Sequence, residues 1–251
     1  MHWDFIVILL FFGGLVPWLG RRRVHQLMSL PRTTKMDRLT LYASTMAFQW
    51  AAVTVILWRA TAHGIRPDQL GFSMRQPALT ASLSIVLSGL FFANQVFSVS
   101  RLASRPSELK GLLPQLALKV FPQDNVERLA FVALVSTVAL CEEVIYRGFI
   151  QFVFQDVTGG RVLLGILFSA VFFALAHFYQ GTRGLVSTFA VGLLFAVVRT
   201  WTGSLIPLIS AHFVTDLTVG FLAAVRLRGK SQESTLVATT DNDSSSTGQS
   251  L

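Results

Sequence analysis

Six residues in the second half of the chain have types and spacings that could do chemistry: Glu142, Glu143, Arg147, His177, His212 and Asp216. The first three stand in Cys141-Glu142-Glu143-Val144-Ile145-Tyr146-Arg147, within a long apolar run. Adjacent carboxylates in such a run repel each other and resist burial. Glu143 and Arg147 lie four residues apart, so on a helix they share a face and can pair, either supporting a site or locking helices together. Glu142 is turned about 100° from Glu143 by helix geometry. It can therefore face a polar cavity and take a proton from water, which is the work of a general base.

His177 follows Phe172-Phe173-Ala174-Leu175-Ala176 near the end of another apolar run. Alone, it reads more readily as an interfacial or hydrogen-bonded histidine than as a ligand. His212 and Asp216 stand in Ala211-His212-Phe213-Val214-Thr215-Asp216, and their spacing puts both on one helix face. Such a pair can hold a metal, orient an imidazole, help an oxyanion, or simply satisfy itself between packed helices. Taken together, a base, two imidazoles and a carboxylate on three apolar segments suggest a site that activates water. The sequence has no His-Glu-x-x-His, no phosphate-cradling glycine loop and no Gly-x-Ser-x-Gly turn. The single cysteine, Cys141, excludes an internal disulfide framework and a cysteine-based zinc site. Its small side chain beside Glu142 suits helix packing.

The elements that must position these residues are membrane helices. The chain is 52% hydrophobic and 14% charged, with a mean hydropathy of +0.57, whereas soluble domains carry about a quarter charged residues. The net charge of +8 is scattered in short clusters between apolar runs, a membrane-flanking pattern that excludes nucleic acid as the partner. Spans of about 20 apolar residues are expected over 5–19, 39–60, 79–99, 129–154, 162–179, 185–198 and 205–225, with turns at Gly159–Gly160 and Gly181–Gly184. The fold class is thus all-α: a polytopic membrane bundle of about seven or eight transmembrane helices. Arg21, Arg22 and Arg23 follow the first run rather than precede it, which marks a retained anchor and not a cleaved signal.

Four regions follow: N-terminal helices over 1–99, a basic linker over 100–128, a helical core over 129–230 that holds all six residues, and a polar tail over 231–251 expected to be disordered. Within the linker, Leu112 to Val120 is apolar and fits an interfacial helix. Basic residues at Arg21–Arg38, Arg101–Arg128 and Arg226–Lys230 fall on one side if the N-terminus is outside, which places the C-terminal tail in the cytoplasm. Arg59, Arg66 and Arg75 fall on the other side and strain that rule.

Glu142-Glu143-x-x-x-Arg147, Phe173-x-x-x-His177 and His212-x-x-x-Asp216 resemble, in order and spacing, the three motifs of the CAAX-protease and bacteriocin-processing family. These are intramembrane endopeptidases, often called Abi proteins in bacteria and related to the type II CAAX prenyl endopeptidase. The resemblance covers about Val126 to Val225. It implies that Glu142 activates the hydrolytic water and that His177 helps hold that water or a metal. His212 and Asp216 would stabilise the oxyanion or complete a metal site, and Glu143 and Arg147 would support the geometry. The last position is Asn in the prenyl endopeptidases. An ionised Asp can only accept hydrogen bonds, which makes it a poorer oxyanion partner and a better zinc ligand. The resemblance therefore leaves two mechanisms open: Zn2+ on Glu142, His177, His212 and Asp216, or glutamate-activated water without metal. Its implied partners are the lipid bilayer and a membrane-associated protein or peptide substrate, a prenylated CAAX protein or a leader peptide. The rival readings are a non-catalytic immunity or scaffold protein that kept the polar cluster, and a proton or ion carrier.

Overall fold

The computed structural model describes residues 2–104 and 111–225; the expected polar tail at 231–251 lies outside them. The described residues form eight helices: α1 (Trp3–Ser29), α2 (Lys35–Ala62), α3 (Pro77–Ala103), α4 (Leu112–Val120), α5 (Asn125–Val157), α6 (Val162–Ala176), α7 (Gly181–Thr202) and α8 (Ile206–Val225). Six are long and apolar enough to cross a membrane, and α6 is a shorter apolar helix of 15 residues. In lipid every backbone amide must be satisfied within its own helix, which is why these runs form helices rather than loops. The molecule is a multi-pass membrane helix bundle. Many of its outward side chains are apolar, among them Ile85, Leu90 and Phe97 on α3 and Leu129 on α5.

The ends of several helices differ from the sequence expectation, each for a local reason. α1 continues ten residues past Leu19, through Arg21–Arg23, because arginine is a good helix former. It stops at Ser29, just before Leu30-Pro31. The Lys119 ammonium of α4 then donates to the carbonyls of Leu27 and Met28, at 2.9 and 3.2 Å, and to that of Leu30. The span expected over 162–179 ends at Ala176, and the turn expected at Gly181–Gly184 is confined to Gly181, at φ +77°, while Gly184 lies inside the first turn of α7. One turn of 3-10 helix, Phe178–Gln180, joins the two. A glycine inside a helix costs only about 1 kcal/mol, too little to unwind a membrane helix. α4 occupies Leu112–Val120, the segment expected at the interface.

At the basic end of the bundle, α2 and α5 are pinned by a buried ion pair. Arg38 Nη2 and Nε donate to Glu127 Oε1 and Oε2 at 2.7 and 3.0 Å. The Tyr42 hydroxyl donates to the Val120 carbonyl and packs its ring on Phe131. At the opposite end, Asp4 of α1 accepts from Arg59 at 2.6 Å and lies 2.9 Å from His63 Nε2. There the α2–α3 loop folds over the start of α8, with Leu205 N donating to Gly71 O at 3.0 Å. The main apolar core lies between α1, α2 and α5, around Phe5, Phe12, Ile56, Tyr146, Phe149 and Leu205.

α5 carries the central irregularity. Its regular helix runs to Glu143 and is followed by a π-helical stretch, Val144–Ile150, before α-geometry resumes. The Tyr146 carbonyl accepts from Gln151 N, five residues on, and from the Ser169 hydroxyl of α6 at 2.9 Å. A Cβ on Gly148 would sit 3.0 Å from the Leu70 carbonyl, so only glycine lets the widened turn touch the α2–α3 loop. Such widened turns concentrate at functional sites, and this one begins directly after the Glu pair.

Candidate active site

Glu143, at the end of the regular part of α5, is fully buried, as is Arg147 one turn on. Arg147 Nη1 donates to Glu143 Oε1 at 2.9 Å. The same oxygen lies 2.9 Å from His212 Nδ1 of α8. A carboxylate can only accept, so the His212 Nδ1–H donates, which fixes the ring and turns Nε2 to Asp216 Oδ2 at 3.5 Å. Arg147 is held by more than its ion pair. Its guanidinium carbon lies 3.9 Å from the centre of the Phe173 ring and 5.3 Å from that of Phe195, a cation–π arrangement that offsets part of its desolvation.

Phe173 also ties His177 to this group. Its ring centre is 4.7 Å from that of His177 and 6.1 Å from that of His212. His177 closes α6 as its C-terminal cap, and its Nδ1 lies 2.9 Å from the Phe173 carbonyl. The carbonyl accepts, so Nδ1 carries the proton, and in the neutral ring Nε2 is left as an acceptor for water.

Glu142 turns away from the Glu143 network and faces α2. Gln49 Nε2 donates to its Oε1 at 3.1 Å, while Oε2 is buried with no hydrogen-bond partner. Unpartnered buried polar atoms crowd this region: Glu142 Oε2, Glu143 Oε2, Gln49 Oε1, and Arg147 Nε and Nη2. Tyr179, in the turn after His177, lies within electrostatic range of both Glu142 and Asp216.

The six residues singled out by sequence therefore fall in one region. Glu143, Arg147, His212 and Asp216 are linked directly, His177 joins through Phe173, and Glu142 adjoins through α2. As a metal site the set is not assembled. Among the described residues no three His, Cys, Asp or Glu side chains gather closely enough to hold an ion. Both His212 nitrogens are turned to carboxylates, and the His177 Nδ1 is taken by a carbonyl. Three contributors escaped sequence reading: Gln49, Tyr179 and the platform role of Phe173. A lone Gln in the apolar run of α2 was the one available signal for Gln49.

Comparison with known proteins bears on this region of the chain. Residues 125–218 match the family model described as Type II CAAX prenyl endopeptidase Rce1-like. Uncharacterized protein YpbD of Bacillus subtilis (strain 168) is 26% identical over 100 residues, which are 39% of this chain and 47% of that protein. The chain thus spans about half the length of the curated relative it matches. No solved structure matches. The matched segment begins at the first residue of α5 and ends two residues past Asp216, so it takes in all three polar motifs and the helices that carry them. Over residues 125–218 the chain is thus similar to the Rce1-like family.

Proposed function

We propose that the protein is an intramembrane endopeptidase that hydrolyses a peptide bond of a membrane-associated substrate, of CAAX or leader-peptide type, with water activated by Glu142. The observation that carries this reading is the division of labour between the two glutamates. Glu143 is engaged by Arg147 and His212, while Glu142 keeps one buried oxygen with no partner. In this reading Glu142 Oε2 takes a proton from water as the water oxygen bonds to the scissile carbonyl carbon. His177 Nε2 accepts from that water and holds it. In this reading His212, braced by Glu143 through Nδ1, gives its Nε2–H to the oxyanion in place of Asp216, which lies 3.5 Å away. The C–N bond then breaks as Glu142 returns its proton to the leaving amine.

We also infer that the basic end faces the cytoplasm and carries the C-terminal tail with it. At the opposite end, acidic partners offset part of the charge of the arginines that strain this assignment. Arg59 pairs with Asp4 at 2.6 Å, and Arg66 and Arg75 pair with Asp68 at 3.1 and 2.8 Å.

A second reading, a non-catalytic scaffold, draws on the buried Arg147–Glu143–His212 chain, which could serve helix packing alone. One purified sample separates the two. Metal content and cleavage of membrane peptides are measured for wild type, Glu142→Gln and His177→Ala. Metal-free cleavage that disappears in Glu142→Gln is the expected result. Stoichiometric zinc lost in His177→Ala together with activity would replace the glutamate mechanism by a zinc one. Absence of cleavage in folded wild type would favour the scaffold.

A further inference from the structure

At the end of the bundle opposite the basic end, the α2–α3 loop, α5 and α7 line an open cavity of about 320 Å³. Its polar lining includes Arg66, Asp68, Ser73, Arg75, Gln155 and Arg199. The cavity thus carries three guanidinium groups and one carboxylate, which pairs with two of them. Arg66 Nε and Nη2 donate to Asp68 at 3.1 and 3.2 Å, and Arg75 Nη2 donates to it at 2.8 Å. The Arg66 hydrogen bond, the largest influence, holds the Asp68 carboxyl below the usual carboxylate range, so it stays ionised. It neutralises one charge of the three.

Arg199 is the informative member. It is only 8% exposed. Its Nη2 donates to the Gln69 carbonyl, and its Nε is buried with no partner. A guanidinium desolvated without a counter-ion is costly, and an anion in the cavity would repay that cost. The loop is built to lie close. Gly71 has φ +88°, and a Cβ there would sit 2.9 Å from Leu205 Cγ and 3.5 Å from Arg199 Nε. The surroundings mark the depth. Trp201, two residues from Arg199, is 66% exposed, and Trp58 and Phe72 at the same end are also exposed. Exposed tryptophans of membrane proteins gather at headgroup level.

We propose that this cavity binds the phosphate of an anionic lipid headgroup, with Arg199, Arg75 and Arg66 as its cationic partners and Ser73 as a hydroxyl donor. Arginine forks match phosphate oxygens, and 320 Å³ leaves room for the headgroup carbons attached to them. The site is independent of Glu142 and extends beyond the proposed hydrolysis.

Binding of dioctanoyl phosphatidylglycerol, dioctanoyl phosphatidylcholine and inorganic phosphate is titrated on the purified full chain in detergent. Wild type should bind phosphatidylglycerol more tightly than either of the others. Arg199→Gln and Arg75→Gln should each weaken it about tenfold, the worth of one charge-assisted hydrogen bond. Arg128→Gln, at the basic end, and Glu142→Gln should leave it unchanged. Should Arg199→Gln fail to fold, Arg75→Gln decides, since the Arg75 side chain is 72% exposed. Phosphatidylglycerol binding that survives the folded cavity variants, or that falls equally in Arg128→Gln, overturns the proposal. Inorganic phosphate binding as tightly as the lipid would overturn the lipid assignment in favour of free phosphate.

Discussion

Two buried glutamates of α5, each paired with an arginine, serve different ends. In Glu127–Arg38 both carboxylate oxygens are used. Oε1 accepts from Arg38, and Oε2 accepts from Arg38 and from Gln123 N at 2.6 Å. Arg38 Nη1 goes on to the Thr33 carbonyl at 2.9 Å. In Glu143–Arg147, which starts directly after Glu142, the pair leaves Glu143 Oε2 and Arg147 Nε and Nη2 without hydrogen-bond partners. A pair that only joins helices is expected to satisfy its polar atoms, because each orphan costs about 1–3 kcal/mol. The surplus around Glu142 and Glu143 has no such structural use, and it suits groups that must meet water and a substrate.

The largest effect should come from Glu142→Gln. It keeps the shape and an acceptor for Gln49 but removes the base. Peptidase turnover should fall by about 10³-fold or more, since general-base catalysis contributes about 10²–10⁴-fold, with the thermal midpoint little changed. Glu127→Leu should do the reverse. It strands Arg38, which is 4% exposed, at a cost of about 3–5 kcal/mol, so the unfolding midpoint in detergent should drop sharply. Adding Arg38→Met should recover most of that loss, because an apolar pair replaces a buried ion pair at little cost. If Glu127→Leu abolished turnover without a loss of stability, the contrast between the two pairs would collapse.

His177→Ala comes next. It removes the acceptor that holds water but leaves the Glu143 network intact, so turnover should fall by about 10²-fold with stability nearly kept. His212→Asn is the informative partner to it. The Asn amide can still donate to Glu143, so folding should survive while turnover falls. Equal thermal losses in both variants would mean that the histidines act as packing residues.

Gln49→Leu probes the boundary of the site. Gln49 lies outside the matched segment and 93 positions before Glu142, yet donates to it at 3.1 Å. Losing one hydrogen bond to a carboxylate, worth about 1.5 kcal/mol or more, should lower turnover about tenfold or more and shift kcat more than KM. This contact also shows where sequence reading ends. The three motifs were legible because ionisable groups in apolar runs need a reason to be there, and the helices because apolar length is plain in the sequence. The Leu112–Val120 helix was legible for the same reason. Gln49 was not, since a neutral amide is cheap enough to bury that nothing in α2 announces its partner. The widened turn at Val144–Ile150 was not legible either. It depends on Ser169 of α6 and on Gly148 meeting the Leu70 carbonyl, contacts that exist only once the helices have packed.

The smallest effect should be that of Asp216→Asn. The Asp216 side chain is 34% exposed and stands 3.5 Å from His212 Nε2, too far for a strong hydrogen bond and partly screened by solvent. Its main service is to face the imidazole that Glu143 already fixes at 2.9 Å. An Asn keeps the shape and one acceptor and adds a donor that an oxyanion can use. Turnover should therefore change by no more than about threefold, under 1 kcal/mol. A loss as deep as that of Glu142→Gln would mean that the carboxylate charge itself is required. That outcome would move Asp216 from an orienting neighbour into the reacting group and reopen the zinc reading, since a metal would lose a charged ligand and a water-only site would not.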